Sequence, residues 1–252
     1  MVHSPENRAA PSFDAAEVEK FARIADTWWA PHGPFAPLHR MNPKRLEIIR
    51  DGILRHFGRT LAGRGALGGL TIVDVGCGGG LVTEPIARMG ASVTGLDAAP
   101  ETIAAARAHG EAGGLTIDYR VGMPEDLAAA RPGAFDVVLA LEIIEHVADI
   151  PSFLTAVAAL AKPGGLVVVS TINRTRKAQA LAIVAAERIL KWLPEGSHDY
   201  DKLVTPPELS AALESVGLSP QPAIGMTFNP LTRVWSSGFD VDVNYLMFAA
   251  KS

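Results

Sequence analysis

The sequence predicts an α/β protein in which a mostly parallel sheet, its last strand antiparallel, carries helices on both faces behind an N-terminal helical cap. Three observations predict it. Short apolar or β-branched runs at 70–75, 92–96, 117–121, 135–141 and 166–171 have the length and composition of buried parallel strands. Ala-rich helical stretches at 81–89, 100–112 and 151–161 alternate with them, as crossover connections between parallel strands require. The alternation then breaks, and 241–250 returns to strand character at the end of the chain.

In chain order, residues 1–14 are polar, hold no apolar stretch of a secretory signal and read as a frayed leader. Residues 15–62 form the cap: Val18, Phe21, Ala22, Ala25 and Trp28 recur at helical spacing. Pro31, Gly33, Pro34 and Pro37 then force a loop, and Pro43 restarts a helix towards Phe57. Residues 68–171 are the strand–helix core, with Pro163-Gly164-Gly165 turning the chain into the fifth strand. Residues 172–204 read as an inserted lid or membrane-contacting segment, and 205–252 as a helix followed by the terminal strands. The whole of 15–252 is expected to be one domain.

Composition excludes several classes. Hydrophobic content of 48% with 20% charged residues is too apolar for a disordered chain. Lys+Arg 23 against Asp+Glu 27, a net charge of −4, leaves no global footprint for nucleic acid. A single cysteine, Cys77, excludes an internal disulfide and fits a cytoplasmic location. No apolar run approaches the ~18 residues of a membrane span.

The chemistry concentrates in Asp74-Val75-Gly76-Cys77-Gly78-Gly79-Gly80, which joins the first strand to the first core helix. Glycines let a backbone turn sharply and approach a ligand, but the third glycine of a dinucleotide fingerprint is Leu81 or Thr83 here. No Walker lysine follows either. Twenty-one residues after Gly76 the second strand ends at Asp97, where a carboxylate can accept both hydroxyls of a ribose. The alternative is a tight turn with Asp97 capping the next helix.

With these residues, 70–171 resembles the Rossmann-like class I S-adenosylmethionine-dependent methyltransferases, whose sheet has seven strands. The resemblance implies that the Gly76 and Gly78 loop meets the methionine part of the cofactor and that Asp97 holds the ribose. Gly122-Met123-Pro124 would border the adenine, with Glu125 or Asp126 on its amino group, and Leu141 would lie under the methionine.

Three further blocks are Phe21–Trp29 with Pro37–Leu46, 197–202 with Pro207-Glu208-Leu209, and Asn229-Pro230 with 241–245. They resemble the ubiquinone-biosynthesis O-methyltransferases, which methylate ring hydroxyls of polyprenylated phenols and catechols. That resemblance implies that Arg45 binds the cofactor carboxylate, a task suited to a guanidinium. It also implies catalysis at Glu142, Glu145 and His146, which resemble a proposed magnesium-binding set; His146 as general base is the other reading. The substrate would be a polyprenyl phenol or catechol. Other expected partners are enzymes of ubiquinone synthesis and an anionic membrane surface met by the basic and apolar stretch 174–193, on the inner face of the membrane. Methylation of another small hydroxylated aromatic, and a non-catalytic cofactor-binding scaffold on the membrane, are the rival readings.

Overall fold

β1 (Thr71–Val75) and β4 (Phe135–Leu141) run side by side at the centre of the sheet, because both are apolar on each face and can only be satisfied between two layers of helix. The computed structural model describes residues 12–13, 15–60, 65–180 and 200–252. The other strands are β2 (Ser92–Asp97), β3 (Asp118–Val121), β5 (Ala161–Ile172), β6 (Leu218–Pro220), β7 (Ile224–Asn229), β8 (Val234–Gly238) and β9 (Asn244–Lys251). Their order is β3-β2-β1-β4-β5-β9-β7-β8, with β6 on the edge of β9. β1 to β5 are parallel, and β9 pairs antiparallel with β5 as expected. The strand count is nine among the described residues rather than seven, because the short strands β6 and β8 extend the C-terminal part of the sheet.

The helices are α1 (Ala15–Ala22), α2 (Ala36–His56), α3 (Thr83–Arg88), α4 (Pro100–Ala112), α5 (Pro124–Ala130), α6 (Ile150–Leu160), α7 (Arg176–Ala178) and α8 (Pro206–Ser215). Thr205 begins α8 with a complete capping box on Glu208, and Asp149 caps α6 through Ser152. Strand residues alternate strictly between two cores. Val73, Val138, Val167 and Tyr245 face α5, α6 and α8, whereas Ile72, Leu139, Val168 and Phe248 face α2 and α3. α2 lies so close to β9 that a Cβ on Gly52 would fall 2.1 Å from the Phe248 ring.

The sheet order reverses between β1 and β4, which opens a crevice at the carboxyl ends of these strands. The N-terminal cap closes over it. Within the leader expected to fray, Ser12 and Phe13 are engaged: Ser12 O accepts the Ala148 N–H, Phe13 bridges Val147, and its ring meets Phe153 edge to face. Residues 181–193 of the expected membrane segment, and residues 197–199, lie outside the described residues.

Candidate active site

A cavity of about 660 Å³ occupies the crevice. Its floor is the turn after β1. Gly76 has φ +71 and Gly78 has φ +54, left-handed values that side chains rarely adopt. Space forbids a Cβ as well: on Gly76 it would lie 2.0 Å from Ile143 Cδ1, and on Gly78 2.4 Å from the Trp28 ring. Trp28 stacks on Phe35 with centroids 3.6 Å apart, and Trp29 donates its indole N–H to Gly79 O at 2.9 Å. The tryptophan pair of the cap therefore clamps the glycine turn.

Asp97 ends β2 beside this turn. Its Oδ2 accepts the Gly78 N–H at 3.0 Å and its Oδ1 accepts the Ala99 N–H at 2.9 Å. Burial nevertheless raises its pKa. The acid fastens the loop and turns the chain through the Ala99 N–H, but Ala99 is the N-cap of α4 and no side chain caps that helix, so the capping alternative is not met. Cys77 is buried in the turn, where burial pushes its thiol well up and makes it a packing group.

Opposite the turn, Arg45 projects from α2 and is 3% exposed. It donates to Asn42 Oδ1, and its Nη1 lies 3.7 Å from Glu142 Oε1. Its Nε is enclosed without a hydrogen-bond partner, a donor awaiting an acceptor. Asp74 faces the same space. It accepts the Thr83 hydroxyl at 2.6 Å, and burial pushes its carboxyl up to about 6. Sequence reasoning missed Asp74 as a site residue, although its place two residues before Gly76 was visible. A guanidinium flanked by carboxylates matches an amino-acid end, which carries both charges. These residues fit the methionine end of S-adenosylmethionine.

Leu141 lines the cavity at the end of β4. Met123 does not, although Gly122 and Pro124 on either side of it do. Glu125 has both carboxylate oxygens enclosed without a partner.

The loop after β4 gives the three residues expected to act together different partners. Glu142 has φ +50, a strained value for a side-chain-bearing residue, and accepts the Ser170 hydroxyl at 2.7 Å. Glu145 is 3% exposed and accepts the Thr171 hydroxyl at 2.8 Å. Ser170 and Thr171 are successive residues of β5 and so point to opposite faces, so the two carboxylates take hydroxyls from different faces while Glu142 stays near enough to act on the charge of Glu145. Glu142 and His146 line the cavity and Glu145 does not. Among the described residues no group of three or more His, Cys, Asp or Glu side chains is placed to share a metal ion. The residues do not fit the magnesium expectation.

The basic lead-in to the expected membrane segment is engaged within the protein. Arg174 pairs with Glu208, and Lys177 Nζ lies 2.9 and 3.1 Å from Asp240 and Asp242. No helix among the described residues is long and apolar enough to cross a membrane.

The reversed parallel sheet, its glycine turn and the acid at the end of β2 define a methyltransferase domain, and the family model of that description matches residues 73–169. The same fold recurs in a possible histamine N-methyltransferase from Thermotoga maritima (TM-score 0.60, 16% identity, 94% of this chain and 99% of that one). It recurs also in magnesium protoporphyrin IX methyltransferase from Synechocystis PCC 6803 with bound SAH (TM-score 0.57, 18% identity, 97% and 90%). Full-length similarity is narrower. The ubiquinone biosynthesis O-methyltransferase of Methylobacterium sp. (strain 4-46) is 51% identical over 96% of both chains. Those of Maricaulis maris and Cereibacter sphaeroides are 51% and 52% identical, over 98% and 94% of this chain and 97% and 96% of theirs. The chain belongs to the ubiquinone biosynthesis O-methyltransferase family.

Proposed function

We propose that this chain methylates phenolic hydroxyls of polyprenylated phenol and catechol intermediates, serving both O-methylation steps of ubiquinone biosynthesis with S-adenosylmethionine. The observation that carries the reading is one crevice in which the glycine turn, Asp97, Arg45 and His146 border the same cavity. When bound, the cofactor supplies an electrophilic methyl group, so the protein has to align an oxygen with it and remove a proton.

The chain's residues divide that work. Arg45 and Asp74 hold the amino-acid end, with the Gly76 and Gly78 turn against it. Asp97 holds the ribose, the 122–124 turn borders the adenine, and Glu125 takes the adenine amino group. Phe21 and Leu38 of the cap with Met226 and Trp235 of the C-terminal strands give the cavity an apolar stretch of wall. That suits a prenylated ring and excludes water from the reacting atoms. His146 is the general base. Glu142 supports Arg45, and no step is assigned to Glu145.

Peripheral contact with the inner face of the membrane, through 174–193, and with other enzymes of ubiquinone synthesis belongs to this reading. It rests on the sequence of that stretch and on the apolar tail of the substrate. Flotation with anionic vesicles tests it: protein left in the bottom fraction refutes the contact.

The deciding assay is turnover of labelled S-adenosylmethionine with a catechol bearing a short prenyl chain. Label in the organic product is expected. Absence of label, together with no calorimetric heat on adding the cofactor or its demethylated product, would overturn the assignment.

A further inference from the structure

His146 is held from a direction that the cofactor site does not explain. Glu17, on α1, places Oε2 3.0 Å from His146 Nδ1, across 129 residues of sequence. Phe21, one helical turn further on, meets the imidazole edge to face, with centroids 5.3 Å apart and planes at 83°. The chain just before α1 is tied to the same loop, since Phe13 bridges Val147 and Ser12 O accepts the Ala148 N–H. Glu17, Phe21 and His146 all line the cavity. One short helix thus contacts the ring of the proposed base in two ways, and a backbone bridge secures that helix beside it.

The hydrogen bond to His146 holds the Glu17 carboxyl below its ordinary range, outweighing burial, with His146, Lys20 and Lys202 adding favourable charge. An ionised carboxylate only accepts, so Nδ1 carries the proton and the basic lone pair of the neutral ring falls on Nε2. Among the described residues, the charged groups around the Glu17–His146 pair are Lys20 of α1 and Lys202 of the 200–202 turn, which act on Glu17, and Glu145 of the His146 loop, which Glu142 faces in turn.

We propose that Glu17 is a positioning residue for methyl transfer, fixing the tautomer and plane of His146 and stabilising the imidazolium formed during the reaction. The inference rests on His146 being the general base. As the phenolic oxygen bonds the methyl carbon, the sulfur–carbon electron pair returns to sulfur and the O–H proton passes to Nε2. The positive charge carried at first by the sulfonium thus ends on an imidazole whose other nitrogen faces a carboxylate. The arrangement works as a triad acid does when it orients a histidine without taking its proton.

The test uses the full chain with Glu17→Gln, Glu17→Ala, Glu17→Asp and His146→Gln. Steady-state kinetics are measured from pH 5.5 to 9, and cofactor affinity by calorimetry. A positioned base contributes roughly 10²–10⁴-fold, so Glu17→Ala should lower kcat by about 10²-fold with cofactor Kd changed less than about threefold. Glu17→Gln keeps an acceptor for Nδ1–H but removes the charge. It should move the acid limb of kcat/KM to lower pH, and Glu17→Asp should restore most of kcat. In the His146→Gln background, Glu17→Gln should cost less than about twofold. An unmoved acid limb in Glu17→Gln with full kcat, while His146→Gln is impaired, would overturn the role of Glu17 and leave the base intact. Full activity in His146→Gln would overturn the base reading itself. Should Glu17→Ala fold poorly, the acid limb of Glu17→Gln decides.

Discussion

The backbone N–H of Gly78 points into the carboxylate of Asp97, 3.0 Å from Oδ2, so the acid proposed to hold the cofactor's ribose also holds the loop beneath it. Replacing Asp97 by Ala should remove both functions. Hydrogen bonds to a charged group contribute about 1.5–3 kcal/mol, so calorimetry should show cofactor Kd raised at least ~10-fold and up to ~100-fold. Asp97→Asn, which keeps one acceptor oxygen, should fall between that variant and the native protein.

Arg45 offers an unpaired Nε and a guanidinium shared with Asn42 and Glu142. Lysine cannot reproduce that fork, so Arg45→Lys should weaken cofactor binding by about 10-fold or more. Affinity for 5′-methylthioadenosine, which lacks the amino-acid end, should stay the same. Equal losses for both ligands in calorimetry would mean that Arg45 acts on the fold and not on the carboxylate.

Glu145 is buried, and burial, helped by the nearby Glu142, raises its pKa to about 7; burial likewise raises Asp74 to about 6. A carboxyl raised on folding binds more protons in the native than in the unfolded state between its two pKa values. Stability contributed by keeping it protonated is therefore present below about pH 4.5 and lost as pH rises through about 7. Removing the titration by Glu145→Gln should stabilise the protein at pH 8, by an amount on the order of 1–3 kcal/mol, and change little at pH 5. Urea denaturation at the two pH values checks this, and an equal effect at both would refute it.

Gly52 sits inside α2, where alanine would ordinarily gain about 1 kcal/mol of helix propensity. The Cβ would collide with the buried Phe248 ring, so overpacking should prevail. Gly52→Ala is expected to lower stability by roughly 1–3 kcal/mol, read as a lower midpoint in thermal unfolding. Gly52→Ala combined with Phe248→Leu should recover part of the loss.

Much of the fold was readable from local patterns. The first four strands, the helices α3, α4 and α6 and the antiparallel return of β9 followed from apolar runs and their punctuation by Gly and Pro, whereas the seven-residue α5 was not expected and β5 runs from Ala161 through the expected Pro163-Gly164-Gly165 turn. The short strands β6 and β8 escaped notice because three to five residues carry too little periodicity. Gly76, Gly78, Asp97, Leu141 and Arg45, singled out from spacing and the family resemblance, all border the cavity. Met123 does not line the cavity, whereas its neighbours Gly122 and Pro124 do, and it is the N-cap of α5. The basic charge at Arg174 and Lys177 looked available to lipid, but Glu208, Asp240 and Asp242 already pair with it from more than thirty residues away.

Sequence alone determined most of the elements, the glycine turn and the acid placed to meet it, because periodicity and backbone freedom are properties of neighbouring residues. Only the tertiary structure decided which carboxylate lines the cavity. Glu142 and Glu145 are three residues apart, yet one accepts from Ser170 and the other from Thr171, hydroxyls on opposite faces of β5. Only packing, too, could bring Glu17 to His146, for a contact spanning 129 residues exists once the cap has closed on the sheet and leaves no trace in local spacing.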